Sequence, residues 1–271
     1  MDDLQRARLA ERTEEATVSD LVGMLTPELA ESLGAARLAV GGGTALRMAG
    51  ANELPMFNRV IGLGLDAPIT DEVVDEAAEF ARGAGGPWLL LQLPPFVETP
   101  DVLGLLGRRG FRRGSCWAKM MRPVGDPPTA TTDLRVVEVG AEEADEFGRV
   151  QCVGMEMPPF LSPWCARQVG APGWRTYAAY DGDRMVAIGS LFRHADVAAL
   201  SGAATLPEAR GRGAQSALMA RRIADAREMG LSWVSAETGA ETPENPNPSL
   251  RNMHRAGLEH LYDRQNWLLP L

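Results

Sequence analysis

The fold of this chain is decided by one stretch, which reads TLPEARGRGAQSAL from Thr205 to Leu218. The apolar run from Val197 to Thr205 that leads into it has the composition of a strand. After it, apolar residues recur on one face as far as about Met229, which predicts an amphipathic helix. Small residues join the two elements, so backbone N–H groups at the helix start can approach an anion closely. The stretch therefore predicts a phosphate-binding loop.

The loop combines small residues with arginines. Gly211, Gly213 and Ala214 present little or no side chain, and Arg210 and Arg212 could pair with phosphate oxygens. A Walker loop would need Lys-Ser/Thr after its last glycine, and a dinucleotide-binding turn would need Gly-x-Gly-x-x-Gly. Neither pattern is present, which excludes both nucleotide-binding classes. A structural turn remains the alternative to an anion site.

The stretch resembles the pyrophosphate loop of the GCN5-related N-acetyltransferases, which reads Arg/Gln-x-x-Gly-x-Gly/Ala. Arg210 and Gly213 occupy the first and fourth positions, whereas Gln215 stands where glycine or alanine is usual. The order of hairpin, strand, loop, helix, strand, helix and strand is also similar to this family. The tail at residues 247–258 resembles the family's last helix, which ends in Gly-Phe, here Gly-Leu. The resemblance implies an α/β (α+β) fold with a mixed, largely antiparallel central sheet flanked by helices.

The N-terminal half repeats part of this order. With 271 residues, of which 45% are hydrophobic, the chain has room for two domains. A helix at residues 71–84, a strand at 87–93 and a short helix at 101–109 are followed by Gly110-Phe111. This matches the elements after the phosphate loop, although helix-end chemistry alone could also produce the match.

The two halves differ where phosphate would bind. Asp66, Asp71 and Glu72 precede or begin the helix predicted at residues 71–84, and carboxylates there would repel phosphates. We therefore expect two tandem acetyltransferase-like domains, of which the first has lost cofactor binding. The expected limits are a degenerate domain at 1–124, a proline-rich linker at 125–132 and an acetyl-CoA-binding domain at 133–271.

Composition excludes several classes of partner. The net charge of −9 and the pI near 5.0 disfavour nucleic acid and anionic membranes. No apolar stretch of membrane-spanning length and no charged-then-apolar leader is visible, so we expect a cytoplasmic protein. Three widely spaced cysteines and three histidines without i, i+4 spacing indicate neither a disulfide framework nor a metal site.

The resemblance implies acyl transfer from acetyl-CoA, or another acyl-CoA, to an amine. In the family, backbone N–H groups of the strand before the loop polarise the thioester carbonyl. By position, these groups belong here to Ala203, Ala204 and Thr205. The other residues expected to contact the cofactor are Arg210, Gly211, Arg212, Gly213, Ala214, Gln215, Ser216 and Asn247.

Catalysis by this route needs a neutral amine and a protonated leaving thiolate. Glu237, at the end of the strand after the helix, and Glu156 are the candidate bases, with solvated surface carboxylates as the alternative. The family often places a tyrosine acid where this chain has Met253. Tyr262 in the last strand could replace it, or could simply pack in its strand.

The acceptor wall of the family corresponds here to the segment at residues 155–164, which is apolar, aromatic and rich in proline. Met157, Phe160 and Trp164 are the expected substrate contacts, with core packing as the alternative. Such a wall favours a small-molecule amine with a sizeable hydrophobic part. The resemblance leaves a homodimer open. It also leaves open an acyl-CoA-binding sensor, or a family member that acts on an acyl thioester without acetylating an amine.

Overall fold

The computed structural model describes residues 1–52, 54–83, 85 and 87–271, and these form two compact units. The first unit comprises Met1–Lys119, Thr238–Thr242 and Leu261–Leu271, and the second comprises Met120–Glu237 and Pro243–His260. The residues from Leu261 onward, which the sequence grouped with the C-terminal half, therefore cluster with the first unit.

The described residues form helices and strands that we number in chain order. The helices are α1 (Asp3–Gly23), α2 (Pro27–Leu33), α3 (Asp71–Arg82), α4 (Pro100–Arg108), α5 (Ala144–Gly154), α6 (Ser162–Ala166), α7 (Ala214–Glu228) and α8 (Pro248–Arg255). The strands are β1 (Ala35–Val40), β2 (Gly43–Met48), β3 (Arg59–Ile61), β4 (Trp88–Leu93), β5 (Arg112–Pro123), β6 (Arg135–Glu138), β7 (Trp174–Asp181), β8 (Arg184–His194), β9 (Val197–Thr205), β10 (Trp233–Gly239) and β11 (Glu259–Pro270).

The sheet of the first unit has the strand order β1-β2-β3-β4-β11-β5. The β1–β2, β2–β3 and β4–β11 pairs are antiparallel, and β3–β4 is parallel. Helix α3 begins where Thr70 accepts a hydrogen bond from the Val73 N–H, and it buries Val74 and Ala77 against the β4 leucines. Ala84, the last residue of the helix predicted at 71–84, lies outside the described residues.

The sheet of the second unit has the order β10-β9-β8-β7-β6, in which β10–β9 is parallel and the other pairs are antiparallel. Phe147 and Val150 of α5 pack with Ile188 of β8 in one core. Neighbouring strand residues point to opposite faces. Ile188 faces α5, and the next residue of β8, Gly189, faces Arg222 of α7. Helices α5 and α7 therefore cover opposite faces of this sheet.

The predicted fold class is confirmed: both units have mixed, largely antiparallel sheets flanked by helices. The helix expected after the loop is also confirmed, since α7 ends at Glu228 with Met229 as its C-cap. Among the described residues, no helix has both the length and the apolar character needed to cross a bilayer.

Candidate active site

Strand β9 leaves its partner β10 halfway along its length. Within the described residues the ladder between them runs from Val197–Trp233 to Leu200–Ala236, whereas β9 continues to Thr205. On its other side β9 stays paired with β8, so the sheet opens only toward β10. Those N–H groups of residues 201–205 that point toward β10 are therefore outside that ladder. The predicted carbonyl-binding residues Ala203, Ala204 and Thr205 lie in this part of β9.

A β-bulge lies at the same place. Ile188 pairs with Ala204 but Ser190 pairs with Ser201, so β9 has one residue more than β8 across this interval. Gly202 takes up the irregularity with a φ of +57°, in the left-handed region that favours glycine. The bulge directs the backbone of β9 away from regular pairing just before the predicted phosphate loop.

A buried arginine of α7 lies behind the bulge. Arg222 donates from Nη1 to the carbonyl oxygens of Ser190 at 3.0 Å and Ser201 at 3.5 Å, and from Nε to that of Leu218 at 3.1 Å. Its side chain is fully buried, and burial lowers the pKa of its guanidinium to about 10. A Cβ on Gly189 would lie 2.9 Å from Arg222 Cζ, which explains the glycine there. No local sequence signal identified this arginine.

The loop after β9 ends at an open helix start. Gly211 and Gly213 have φ values of +82° and +79°, and Gly213 is the N-cap of α7. Within the described residues no side chain caps this helix. The N–H groups of its first turn have no acceptor inside the helix, and they lie at the positive end of its dipole. The predicted residues Gly213, Ala214, Gln215 and Ser216 thus form the positive end of α7, and their role in binding an anion stays a prediction.

The two glycines of the loop, Gly211 and Gly213, have different surroundings. A Cβ on Gly213 would lie 2.2 Å from the Thr131 carbonyl oxygen, closer than any real contact, and Thr132 Oγ1 donates to the Arg212 carbonyl at 2.8 Å. A Cβ on Gly211 would meet no described atom within 4 Å. Gly213 is therefore required by the neighbouring chain, whereas Gly211 opens to space beside the helix start.

The side chain of Gln215 turns away from the loop. Its Nε2 donates to the carbonyl oxygens of Ala204 at 2.8 Å and Ile188 at 3.1 Å, and it lies 3.0 Å from Thr205 Oγ1. The residue that departs from the family pattern thus ties the first turn of α7 to the ends of β8 and β9. Its backbone N–H remains part of the helix start.

The two arginines of the loop have different partners. Arg212 pairs with Asp133 and with Asp181, the latter at 2.5 Å, and these bonds hold the pKa of both carboxyl groups below the ordinary value of 3.8. Arg210 is exposed; its Nη2 lies 3.4 Å from the Gly154 carbonyl oxygen. Arg210 has one loose carboxylate partner, the exposed Glu156 at 3.9 Å, so turning toward a phosphate would give up less than it would for Arg212, which would have to share its donors.

The structure brings one candidate base close to Arg210. Glu156 Oε1 lies 3.9 Å from Arg210 Nη2, and the Glu156 side chain is 83% exposed. Its φ of +55° places it in the left-handed region after α5, where Met157 N–H donates to the Cys152 carbonyl at 2.8 Å. Helices usually place glycine at this position, because another residue costs about 1–2 kcal/mol. The other candidate, Glu237, directly follows Ala236, the last β10 residue paired with β9.

Tyr262 belongs to the first unit, where it joins a buried polar network. Its hydroxyl donates to Glu11 Oε1 at 2.8 Å, and the Ala7 carbonyl oxygen lies 3.3 Å away. Glu11 also pairs with Arg264 at 3.1 Å, and both of these side chains are fully buried. This network favours the packing role that the sequence allowed for Tyr262. Its role as an acid stays a prediction.

The predicted contacts of the acceptor wall divide into two groups. Met157 and Trp164 are buried, whereas Phe160 is 48% exposed. Phe160 is therefore the one of the three whose ring is available to a substrate. Asn247, expected near the cofactor, caps α8: its Oδ1 accepts from the N–H groups of Ser249 at 2.9 Å and Leu250 at 3.3 Å, and its contact with the cofactor stays a prediction. An Asn before Pro-Ser at a helix start is a recognised cap signal.

Comparison with known proteins agrees with this geometry. Residues 155–242 match the family model described as an acetyltransferase (GNAT) domain. No curated protein sequence matches the chain. The described residues contain no group of three His, Cys, Asp or Glu side chains that could hold a metal ion.

Several solved structures share the fold. A GCN5-related N-acetyltransferase from Kribbella flavida is 18% identical, with a TM-score of 0.63 over 97% of this chain and 96% of that one. A tandem GNAT protein from the clavulanic acid biosynthesis pathway is 17% identical, with a TM-score of 0.54 over 73% and 69%. A functionally unknown conserved protein from Staphylococcus epidermidis ATCC 12228 is 10% identical, with a TM-score of 0.58 over 88% and 96%.

The fold and the domain match together define an acyltransferase. Residues 155–242, which include the loop, match the GNAT acetyltransferase domain that the loop resembles. Degeneration of the N-terminal domain stays a prediction.

Proposed function

We propose that the protein is an acyl-CoA-dependent N-acyltransferase that passes the acyl group directly from the thioester to a small-molecule amine. One observation supports this most. β9 runs on to Thr205 after its ladder with β10 has ended at Leu200, and it then leads into the uncapped start of α7 at Gly213. An open strand edge and an anion-binding helix end thus follow one another within a few residues. CoA offers amides and a diphosphate in the same succession.

The residues present fit this ligand. Open N–H groups at residues 203–205 would meet the thioester carbonyl, and those at 213–216 would meet the diphosphate together with Arg210. Bound acetyl-CoA, or another acyl-CoA, would supply the activated acyl group. Donors fixed in place before the reaction stabilise the charge that develops on the carbonyl oxygen. The buried Arg222 adds positive charge behind the same strand.

We propose that Glu237 accepts the proton of the amine, since it follows the last paired residue of β10, where the two strands separate. Glu156 is the second candidate, but its carboxylate lies beside Arg210 and is largely exposed. We assign protonation of the leaving thiolate to water, because the Tyr262 hydroxyl donates to Glu11. The exposed ring of Phe160 favours an acceptor with a hydrophobic part.

The contrast between α3 and α7 supports a single CoA site, in the domain proposed at 133–271. Thr70 Oγ1 accepts from the Val73 N–H and so caps α3, and Asp71 and Glu72 add negative charge to its first turn. Arg12 pairs with Asp66 and Arg109 pairs with Asp71 at 2.6 Å, so the contrast with α7 rests on the Thr70 cap and on Glu72. In the described part of the chain, no side chain caps α7, and its first turn contains no acidic residue. We therefore propose that the domain at 1–124 has lost cofactor binding.

Amine-dependent release of free CoA from acetyl-CoA tests the function. The proposal expects thiol release that requires an amine and yields the N-acylated product. A second candidate is an acyl-CoA sensor or a thioester-specific enzyme. Met253, buried in α8 where the family often has its tyrosine acid, favours that alternative. Acetyl-CoA binding without amine-dependent release, across a panel of hydrophobic amines, would support it over amine acylation.

A further inference from the structure

Three polar side chains lie buried beneath the β9 bulge. Gln151 of α5 is 7% exposed, Gln168 after α6 is 2% exposed and Ser190 of β8 is 0% exposed. Gln168 Nε2 lies 3.1 Å from Gln151 Oε1, and Ser190 Oγ lies 2.8 Å from Gln168 Oε1. Burying three such groups is costly unless they are hydrogen-bonded, so their arrangement is specific.

One backbone carbonyl fixes the donor and the acceptor in each of these side-chain hydrogen bonds. Gln168 Nε2 also lies 3.2 Å from the Cys165 carbonyl oxygen, which can only accept. That end of the Gln168 amide must therefore be the nitrogen, and its oxygen must accept from the Ser190 hydroxyl. The same nitrogen donates to Gln151, so the Gln151 atom that faces it is the oxygen. The Gln151 nitrogen is left at the far end as a donor.

This donor faces the bulge. A Cβ built on Gly202 would lie 3.3 Å from Gln151 Nε2, and also 3.3 Å from Gln168 Oε1 and from Ser190 Oγ. Because Gly202 has no Cβ, the β9 backbone passes close to the amide. Ala203, the next residue, is the first of those proposed to bind the thioester carbonyl. In the described part of the chain the hydrogen bond of the Gln151 amide uses its oxygen.

We propose that Gln151 Nε2 donates a hydrogen bond to the acyl carbonyl oxygen of the thioester, as a second donor beside the β9 backbone. The proposal rests on the proposed function. Gln168 is then a positioning residue, which holds the Gln151 amide in the donating orientation. A neutral donor fixed before the reaction needs no reorganisation as charge develops on the oxygen.

Calorimetric titration with acetyl-CoA and with CoA separates this role from a structural one, because only acetyl-CoA has the acyl carbonyl. The wild type is expected to bind acetyl-CoA more tightly than CoA, and the Gln151 bond should account for about 2- to 10-fold of this preference, the usual value of one hydrogen bond. Gln151→Met should therefore show a preference for acetyl-CoA about 2- to 10-fold smaller than that of the wild type, with unchanged affinity for CoA. Its kcat should fall about 10²-fold, the usual cost of losing one such donor, without a change in KM for the amine.

Two neighbours provide matched variants. Ser190→Ala leaves the Gln168 amide fixed by the Cys165 carbonyl, so the preference for acetyl-CoA should persist. Gln168→Leu frees the Gln151 amide to turn, so the preference should fall. If Gln151→Met does not fold, Gln151→Glu keeps the size of the side chain. Its carboxylate should make acetyl-CoA bind more weakly than CoA.

A preference for acetyl-CoA as large in Gln151→Met or Gln151→Glu as in the wild type would overturn the proposal. Equal weakening of both ligands, or a change in the amine KM alone, would overturn it as well. Absence of any acetyl-CoA binding by the wild type would instead refute the proposed function.

Discussion

Gln215 Nε2 donates a hydrogen bond of 2.8 Å to the carbonyl oxygen of Ala204, so the first turn of α7 is tied to the end of β9. The strand proposed to bind the thioester carbonyl and the helix start proposed to bind the diphosphate are thereby held together by a side chain. Glycine or alanine, usual at this position in the family, could not make this bond.

We expect Gln215→Met to lower the free energy of unfolding by about 1–3 kcal/mol, because buried carbonyl oxygens of Ala204 and Ile188 would lose a donor. Urea unfolding measures the change. Ser216→Ala, one residue along the same turn, is the control and should stay within about 0.5 kcal/mol of wild type. Equal stability of the two variants would show that the Gln215 bonds contribute nothing.

We expect substitutions of the two loop arginines to weaken acetyl-CoA binding to different extents. Arg210→Ala is expected to weaken acetyl-CoA binding by about 1.5–3 kcal/mol, the usual value of a charged hydrogen bond to phosphate. Arg212→Ala should weaken it less, because Asp133 and Asp181 already hold that guanidinium. Calorimetry on both variants decides the order. A larger loss with Arg212→Ala would reverse the assignment.

The dependence of folding stability on pH should show whether Arg212 pairs with Asp133 and Asp181. The pKa values of Asp133 and Asp181 lie below 3.8 in the folded protein because Arg212 hydrogen-bonds both carboxylates. A lowered folded pKa gives stability that is present above the unfolded value and is lost as pH falls through the folded one. Wild type should therefore lose stability below about pH 4 more steeply than Arg212→Ala. Parallel curves of melting temperature against pH would contradict this pairing.

Tyr262→Phe distinguishes an acid from a packing residue. We expect turnover within about threefold of wild type and unfolding free energy lower by about 1 kcal/mol, since the hydroxyl bond to Glu11 is lost while the ring remains. Steady-state kinetics and thermal unfolding measure both. A turnover loss of about 10²-fold with unchanged stability would make Tyr262 the general acid after all.

Features that depend on neighbouring residues were predicted from the sequence, whereas features that depend on contacts between distant residues were not. The end of the helix after the loop was predicted to within a residue, because the spacing of its apolar residues is a local feature of the sequence. The bond between Tyr262 and Glu11 joins residues 251 positions apart, and the clash that requires glycine at 213 comes from Thr131. Such contacts arise from tertiary packing, which no window of sequence contains. The cap role of Asn247, by contrast, was readable from Asn-Pro-Ser.

Two variants of Gly211 test whether the diphosphate of acyl-CoA binds at the start of α7. Its φ of +82° is tolerated by Asn and Asp better than by other residues, and a Cβ there meets no described atom within 4 Å. Gly211→Asn and Gly211→Asp therefore differ in charge while placing side chains of equal size beside the helix start. Titration of the wild type with acetyl-CoA should give one site per chain.

We predict that Gly211→Asn binds acetyl-CoA within a few-fold of wild type, whereas Gly211→Asp binds at least about 10-fold more weakly, because its carboxylate would face the diphosphate. Equal affinities of the Asn and Asp variants for acetyl-CoA, or two equivalent sites per chain in the wild type, would contradict the claim that acyl-CoA binds at the β9 edge and the start of α7.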